Sequence, residues 1–278
     1  MTPGRIPLAG VIGEPIAHSR SPRLHGHWLA RYGLPGHYVP LHVAAADLAA
    51  VLAAMPRMGF VGANVTLPHK VAALALATRA TDRAARIGAA NTLTFLPEGG
   101  FEADNTDGEG FLRNLRQGAP GWNPAAGPAL VLGAGGAARA VLAALIDAGV
   151  PEIRLANRTA AATADLAAAF GPIIRPIAWE DRAAALAGAA TLVNATSLGM
   201  AGKPALEMPL DALAPGARVT DLVYTPLETP LLAEARTRGA AVVDGLGMLL
   251  HQAAPGFERW FGRAPEVDEA LRRVALAP

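Results

Sequence analysis

The chain contains 278 residues, with 24 Lys or Arg against 23 Asp or Glu, a formal net charge of +1 and no cysteine. So small a net charge excludes strong attraction to nucleic acid or to an anionic membrane surface, and the lack of cysteine excludes disulfides, thiolate nucleophiles and cysteine-based metal sites. The length predicts two domains. Charged residues interrupt the apolar stretches, so we expect neither a signal peptide nor a membrane span, and hence a cytoplasmic protein.

Short apolar runs alternate with amphipathic segments, which predicts an α/β fold. In the first part of the chain, Ser21 followed by Pro22 is typical of a helix N-cap with proline at the first helical position, and Pro68 is expected to open another helix. Residues 91–95 and 101–104 flank a turn rich in Pro and Gly, which predicts a β-hairpin. Further strands are predicted at 8–12 and 62–66, and a further helix over 48–55.

The second part of the chain begins, by composition, in segment 117–128, which is too rich in Gly and Pro for a helix or a central strand and is interpreted as a linker or crossover. Beyond it, apolar runs alternate with helical stretches, which predicts a doubly wound open sheet of about six strands. The predicted strands are 129–132, 153–156, 173–177, 191–194, 219–223 and 241–243. Two final helices are predicted over 248–261 and 267–276.

The strongest local signal is a glycine-rich turn after the predicted strand 129–132. Gly133 allows the tight turn, Gly135 lets the backbone approach a pyrophosphate, and Ala138 takes the small third position of a dinucleotide-binding fingerprint. The helix that follows offers free amides and a favourable dipole to an anion. We therefore predict dinucleotide binding here, with an ordinary tight turn as the alternative.

The motif Asn157-Arg158-Thr159 follows the next predicted strand, where an NAD site usually places an Asp or Glu that binds the ribose hydroxyls. A guanidinium can bind a phosphate bidentately and stack on an adenine, so Arg158 favours NADP over NAD. The alternative is a solvated arginine at the start of a helix.

Polar residues also collect where strands of the first part end and helices begin. Ser19 and Ser21 could direct two hydroxyls at a small anion such as a carboxylate, although a helix cap also explains Ser21. Lys70 opposes the dipole of the helix that it starts, which invites a functional explanation beside that of a surface lysine. Asp107 lies in a second polar cluster, 104–108, and could cap the following helix.

These polar residues predict no metal site. Aligning Asp107 and Gly108 with a calcium-binding loop places Ala103 and Asn114 where acidic ligands are required. Two histidines at positions 25 and 27 diverge by about 200° on a helix and cannot bind one ion together.

Taken together and in order, the motifs resemble those of the shikimate dehydrogenase family, which reduces 3-dehydroshikimate with NADPH. The resemblance spans nearly the whole chain, and its motifs are 19–22, 64–70, 88–92, 104–108, 133–137, 157–159, 194–197 and 244–248 with Gln252. It implies a substrate-binding domain formed by residues 1–110 plus 246–278 and a Rossmann NADP-binding domain formed by residues 111–245.

The resemblance also implies a role for individual residues. Lys70 and Asp107 would be catalytic. Substrate would be bound at its carboxylate by Ser19 and Ser21, and at its ring hydroxyls and carbonyl by Asn64, Thr66, Asn91, Tyr224 and Gln252. NADP would be held by Gly133, Ala134, Gly135, Gly136, Ala137, Asn157, Arg158, Thr159, Thr196, Leu222, Gly245, Met248 and Asp82. The partner implied is shikimate or 3-dehydroshikimate, and a homodimer is compatible with the sequence.

One position departs from the family pattern. Family members often carry a second arginine shortly after the Asn-Arg-Thr motif, and here that position is Ala162. Losing one arm of such a phosphate clamp costs about 1.5–3 kcal/mol of NADP preference.

The implied chemistry needs a proton at the oxygen of the carbon that exchanges the hydride. The Lys70 ammonium can stabilise and protonate that oxygen, while the Asp107 carboxylate orients substrate hydroxyls and favours the charged lysine. The sequence leaves open which of the two is the formal general base. It also leaves three alternatives: a quinate/shikimate dehydrogenase using NAD or quinate, a folate-type methylene dehydrogenase, and a non-catalytic NADP-sensing module.

Overall fold

The computed structural model describes residues 6–277, which form two compact units. The first unit contains the described residues up to Thr106 together with those from Leu250 onward, and the second is Asp107–Leu249. The Gly- and Pro-rich segment 117–128 lies inside the second unit, so its interpretation as the boundary between domains is wrong. The segment begins with the last two residues of a helix that ends at Gly118, and a short 3-10 helix, Pro124–Ala126, precedes a buried strand, Ala129–Leu132.

A mixed six-stranded sheet forms the centre of the first unit, in the order β2-β1-β3-β5-β6-β4. Its elements are β1 (Leu8–Gly13), α1 (Ser21–Tyr32), β2 (His37–His42), α2 (Leu48–Ala54), β3 (Phe60–Val65), α3 (Lys70–Ala75), β4 (Arg79–Ala80), α4 (Asp82–Ile87), β5 (Thr92–Phe95) and β6 (Phe101–Asp104). Strand β1 lies parallel to both β2 and β3, whereas β5 and β6 form the antiparallel hairpin predicted from the sequence. The apolar residues of α2 pack with Ile12, Val65 and Leu93 in one buried cluster.

A parallel six-stranded sheet forms the centre of the second unit, in the order β12-β11-β10-β7-β8-β9. Its elements are α5 (Asp107–Gly118), β7 (Ala129–Leu132), α6 (Gly136–Ala148), β8 (Ile153–Ala156), α7 (Ala160–Phe170), β9 (Ile174–Ile177), β10 (Thr191–Asn194), β11 (Arg218–Asp221), α8 (Pro230–Thr237) and β12 (Ala241–Val243). The strand order reverses direction between β7 and β10, and ligands of doubly wound sheets bind at such a reversal. The α/β fold predicted from the sequence is confirmed.

Two helices complete the chain, α9 (Leu246–Phe261) and α10 (Glu269–Leu276). Asp268 caps α10, because its carboxylate accepts a hydrogen bond from the Leu271 amide at 2.9 Å. The start predicted for α10, Val267, is two residues too early. None of the helices in residues 6–277 combines the length and the apolar composition that a membrane crossing requires.

Two further expectations about the elements are wrong. Pro68 does not open a helix, because the Thr66 carbonyl accepts the His69 amide in a turn and α3 starts at Lys70. The regular alternation of strand and helix also fails between β10 and β11, where residues 195–217 contain turns and bends but no helix.

Candidate active site

The turn before α1 carries the two serines predicted to bind a carboxylate. The Ser19 hydroxyl accepts a hydrogen bond from the Ser21 amide at 3.3 Å, and Ser21 is the first residue of α1. The prediction that Ser21 is the N-cap is therefore wrong by one residue, since the N-cap is Arg20, whose side chain does not cap the helix. The Arg20 guanidinium instead donates to the carbonyl of Ala275 in α10, which ties this turn to the end of the chain.

A tyrosine that the sequence did not single out connects Ser21 to the end of β3. The Tyr38 hydroxyl is hydrogen-bonded to the Ser21 side chain and donates to Asn64 Oδ1 at 2.7 Å. Burial raises the pKa of Tyr38 well above its ordinary value, so its hydroxyl keeps the proton that it donates. The ring of Tyr38 is stacked on that of His25, with centroids 3.8 Å apart and planes 3° from parallel.

Buried polar side chains continue from Asn64 across the sheet to α9. The Asn64 amide nitrogen donates to the carbonyl of Asn91 at 3.1 Å and to Thr92 Oγ1 at 3.2 Å. The Asn91 amide nitrogen donates to Thr106 Oγ1 and to Gln252 Oε1, each at 3.0 Å. The structure thus joins three predicted substrate residues, Asn64, Asn91 and Gln252, in one hydrogen-bonded network.

The segment between β3 and α3 holds two further predicted residues, Thr66 and Lys70. Thr66 follows β3 directly, and its amide donates to the Ile12 carbonyl at 2.9 Å. Lys70 is the first residue of α3 and is half-buried, and its carbonyl accepts the Ala90 amide at 2.8 Å. The backbone of Lys70 is therefore fixed to the segment that carries Asn91.

Asp107 is the other predicted catalytic residue and belongs to the second unit, as its first residue. It is buried, 4% exposed, and begins α5, so it lies within the first turn of the helix and is not its N-cap as predicted. An acidic group is favoured there by the helix dipole. Tyr224, predicted to contact substrate, is half-buried just after β11.

The loop before Asp107 is held by a buried carboxylate, Asp104, at the end of β6. Burial alone would raise the pKa of Asp104, but hydrogen bonds from Arg83 and Thr81 and the charges of Arg83 and Arg259 outweigh it and lower the pKa to about 2. The two guanidiniums lie 2.5 and 2.7 Å from the carboxylate. Asp104 is therefore ionised at neutral pH and anchors this loop.

The glycine-rich turn between β7 and α6 has the shape of an anion cradle. Gly133 has φ +109°, and a Cβ there would lie 2.9 Å from the Ala195 carbonyl oxygen, so only glycine fits. Gly135 precedes the helix without any capping side chain, and a Cβ on it would meet nothing within 4 Å. Ala134 completes the turn, Gly136 and Ala137 begin α6, and the absence of large side chains at these positions suits an approach of a pyrophosphate to the amides at the start of the helix.

The Asn-Arg-Thr motif follows β8 at the same edge of the sheet. The Asn157 amide donates to the Thr159 carbonyl at 3.2 Å, and Thr159 is the N-cap of α7. Arg158 is exposed and forms no ion pair with the residues that the structure describes. Its guanidinium is therefore available to a phosphate group.

The remaining cofactor candidates follow other strands of this sheet. Thr196 follows β10 and Leu222 follows β11, and the Leu222 amide donates to the Asn194 carbonyl at 2.9 Å. Gly245 follows β12, with Met248 buried in the first turn of α9. These residues therefore share the carboxyl edge of the sheet with the glycine turn, whereas Asp82, exposed at the start of α4, belongs to the first unit.

No group of three or more His, Cys, Asp or Glu within residues 6–277 is arranged to hold a metal ion. The residues that sequence reasoning missed are Tyr38, Thr92 and Asp221. Tyr38 and Asp221 lie outside the motifs. Thr92 is the last residue of the motif 88–92, but the sequence predicts no role for it. All three are identified only by hydrogen bonds to residues that are distant in the sequence.

Three family models match separate parts of the chain. The shikimate dehydrogenase substrate binding domain matches residues 11–93, shikimate / quinate 5-dehydrogenase matches residues 123–201, and the shikimate 5'-dehydrogenase C-terminal domain matches residues 245–274.

Individual proteins are similar over nearly their full length. Shikimate dehydrogenase (NADP(+)) from Paracoccus denitrificans is 65% identical, covering 99% of this chain and 98% of the relative. Shikimate 5-dehydrogenase from Thermus thermophilus, solved in complex with NADP(H) and shikimate, is 40% identical with a TM-score of 0.85, covering 96% of this chain and 99% of that one. Quinate dehydrogenase from Corynebacterium glutamicum, solved in complex with NAD, is 30% identical with a TM-score of 0.87 and covers 96% of both chains.

Proposed function

This chain belongs to the shikimate dehydrogenase family, and we propose that it catalyses the reversible NADPH-dependent reduction of 3-dehydroshikimate to shikimate, a step in the biosynthesis of chorismate and the aromatic amino acids. The full-length match to a shikimate dehydrogenase (NADP(+)) carries this proposal. Two groups of residues, one in each unit, supply the chemistry that the reaction requires.

The residues of the second unit fit NADP, which supplies the hydride to the carbonyl carbon when bound in its reduced form. The cradle at Gly133 and Gly135 has room for a pyrophosphate, and Arg158 has a free guanidinium for the 2′-phosphate. Ala162 offers no second cation beside it. We therefore propose a preference for NADP over NAD that rests on Arg158.

The residues of the first unit fit a small hydroxylated acid. Ser19 and Ser21 are proposed to bind the carboxylate through hydroxyl and amide groups at the start of α1. Asn64, Asn91 and Gln252 carry amides that both donate and accept hydrogen bonds, as ring hydroxyls do. Their shared network holds these amides in fixed orientations before substrate binds, which reduces the entropy lost on binding. Thr66, and Tyr224 from the second unit, are also proposed to contact substrate.

Lys70 and Asp107 are proposed to handle the proton. On reduction, the Lys70 ammonium stabilises negative charge on the carbonyl oxygen and donates a proton to it; on oxidation, it takes that proton back. Asp107 is proposed to orient the neighbouring substrate hydroxyl. We propose functional domains of residues 1–110 plus 246–278 for substrate and 111–245 for NADP, limits that lie within four residues of those of the compact units.

The first experiment measures absorbance at 340 nm with the purified chain, crossing shikimate and quinate with NADP and NAD. We expect rapid NADP reduction with shikimate alone. Equal kcat/KM for quinate, or for NAD, would replace the proposal with the broader quinate/shikimate dehydrogenase. NADP binding without any turnover would instead support the sensing module.

Lysine substitution provides a matched test of the catalytic assignment, because the chain contains only two lysines, Lys70 and Lys203. Lys70→Ala should lower kcat by about 10³-fold or more, since both proton transfer and oxyanion stabilisation are lost, while the Kd for NADP stays within about twofold. Lys203, exposed between β10 and β11, is the control, and Lys203→Ala should keep wild-type kcat. Near-normal kcat in Lys70→Ala would remove Lys70 from the mechanism.

A cytoplasmic location and a homodimeric state are also proposed. An enzyme that draws on the NADPH pool works where that pool is maintained. Cell fractionation tests the location, and light scattering of the purified chain tests the dimer.

A further inference from the structure

A buried carboxylate without a role in the mechanism lies beside the cofactor edge of the second sheet. Asp221 ends β11 and is fully buried. Its carboxylate accepts hydrogen bonds from Asn194 Nδ2 at 2.9 Å, from the Val223 amide at 2.9 Å and from the Thr229 hydroxyl at 2.7 Å. Burial raises the pKa of Asp221, and these three bonds oppose that rise.

Asp221 and the Leu198 carbonyl together fix the direction in which the Asn194 side chain points. The Asn194 amide nitrogen donates to Asp221 Oδ1 and, at 3.1 Å, to the Leu198 carbonyl. Because a carboxylate oxygen and a carbonyl oxygen only accept, the NH₂ group must face them and Asn194 Oδ1 must face the other way. There it accepts the Thr196 amide at 3.0 Å and the Thr196 hydroxyl at 2.7 Å.

The Thr196 hydroxyl is thereby occupied on both sides. It donates to Asn194 Oδ1 and accepts the Leu198 amide at 3.0 Å. The methyl group of Thr196 is turned toward the glycine cradle, 3.0 Å from the position that a Cβ on Gly133 would take. The hydroxyl therefore anchors the loop, and the methyl group packs against the turn that receives the pyrophosphate.

We propose that Asp221 is a positioning residue for NADP binding: by orienting Asn194, it fixes the hydroxyl of Thr196 and holds the loop 195–198 against the glycine cradle. The identity of the cofactor rests on the proposed function above. The chain of contacts runs through Asp221 Oδ1, whereas Asp221 Oδ2 faces Thr229 at the N-cap of α8.

Two substitutions separate the contacts of the two oxygens of Asp221. Asp221→Ala removes the acceptor that faces the NH₂ group of Asn194, and is expected to raise the Kd for NADP about tenfold in titration calorimetry. Thr229→Val keeps the size of the side chain but removes the bond to Oδ2 and the cap of α8. It is expected to lower Tm while the Kd for NADP stays within about twofold. Equal changes of Kd in both variants would overturn the proposal, because they would reflect a general loss of structure.

A double-mutant cycle tests whether Asp221 acts through Thr196. Thr196→Val keeps the methyl group, loses the anchoring hydroxyl and is expected to raise the Kd for NADP about tenfold. If both changes release the same loop, the double variant binds no more than about tenfold weaker than wild type. A multiplicative loss of about a hundredfold would show that the two residues act independently and would overturn the proposal.

Hydrogen exchange of the cofactor-free protein provides a measurement that does not depend on NADP. Both Asp221→Ala and Thr196→Val should accelerate exchange of the Thr196 and Leu198 amides, and Thr229→Val should not. Unchanged exchange would overturn the proposal even if NADP binding fell. Asp221→Ser, which also removes the acceptor facing Asn194, replaces Asp221→Ala in this measurement if Asp221→Ala does not fold. If the wild-type protein did not bind NADP, the proposed function would be refuted. The exchange measurement would then still test whether Asp221 holds the loop 195–198.

Discussion

His25 makes the stability of the first unit depend on pH. Its ring is completely buried in a cluster with Tyr38, Trp28, Phe257 and Trp260, and neither ring nitrogen has a hydrogen-bond partner among residues 6–277. Protonation would place an unpaired charge in this apolar cluster. Burial accordingly lowers the pKa of His25 from 6.5 to about 3.

The sign and size of the effect follow from these two pKa values. The unfolded chain takes up a proton below pH 6.5, while the folded protein does so only near pH 3, so His25 favours folding above pH 6.5 and this contribution is lost as the pH falls toward 3. Between pH 7.5 and pH 5.0, His25 binds a proton in the unfolded state but not in the folded state. At 1.36 kcal/mol per pH unit below 6.5, the free energy of unfolding drops by about 2 kcal/mol on account of His25.

Urea unfolding at pH 7.5 and pH 5.0, followed by circular dichroism, measures this loss. His25→Phe keeps an aromatic ring in the cluster but cannot titrate, so its loss between the two pH values should be about 2 kcal/mol smaller than that of the wild type. His37, exposed on β2, is the control, and His37→Gln should keep the wild-type loss. Equal losses in wild type and His25→Phe would refute the reasoning.

Two pairs of substitutions test the proposed binding sites. Gly135→Ala should leave the free energy of unfolding within about 0.5 kcal/mol of the wild-type value, because its Cβ meets only open space, and yet weaken NADP binding at least about tenfold. Gly133→Ala should lower both the free energy of unfolding and the affinity for NADP, because it adds strain at φ +109°. Calorimetry and urea unfolding separate the two. Arg20→Ala should raise the KM for shikimate about threefold or more with an unchanged KM for NADP, since its bond to α10 fixes the turn that carries the serines. Arg23, which donates to the Ala277 carbonyl from a position outside that turn, is the control, and a similar rise of KM in Arg23→Ala would contradict a specific role for Arg20.

Most strands of the second unit could be predicted because a parallel sheet covered on both faces produces continuous apolar runs. Strands β7, β8, β10 and β12 match the predicted limits residue for residue. Strand β2 was missed because it lies at the edge of its sheet, where exposed polar residues and a proline are tolerated and only Tyr38 is buried.

Only those residues of the candidate site that belong to local sequence motifs could be predicted. Local patterns indicated Gly133, Arg158 and Lys70, because a turn, a strand end or a helix start is a property of neighbouring residues. The roles of Tyr38 and Asp221 depend on partners 26 and 27 positions away, which no local pattern reveals. The prediction of an N-cap at Ser21 is wrong although the local motif suits one: Ser21 is already the first helical residue, and its amide donates to the Ser19 hydroxyl.

The first unit combines residues up to Thr106 with residues from Leu250 onward, and this affects how it folds while the chain is synthesised. Phe257 and Trp260 supply two rings of the cluster around His25, and the Trp260 indole donates to the Leu93 carbonyl at 3.0 Å. A nascent chain that has reached Leu249 therefore contains the whole second unit but lacks part of the core of the first. The apolar surface of the earlier segment that packs on Phe257 and Trp260 is therefore uncovered until those two residues are synthesised. A chain that terminates between Leu249 and Phe257 contains the complete second unit, and the incomplete first unit is expected to be a target for chaperones and proteases.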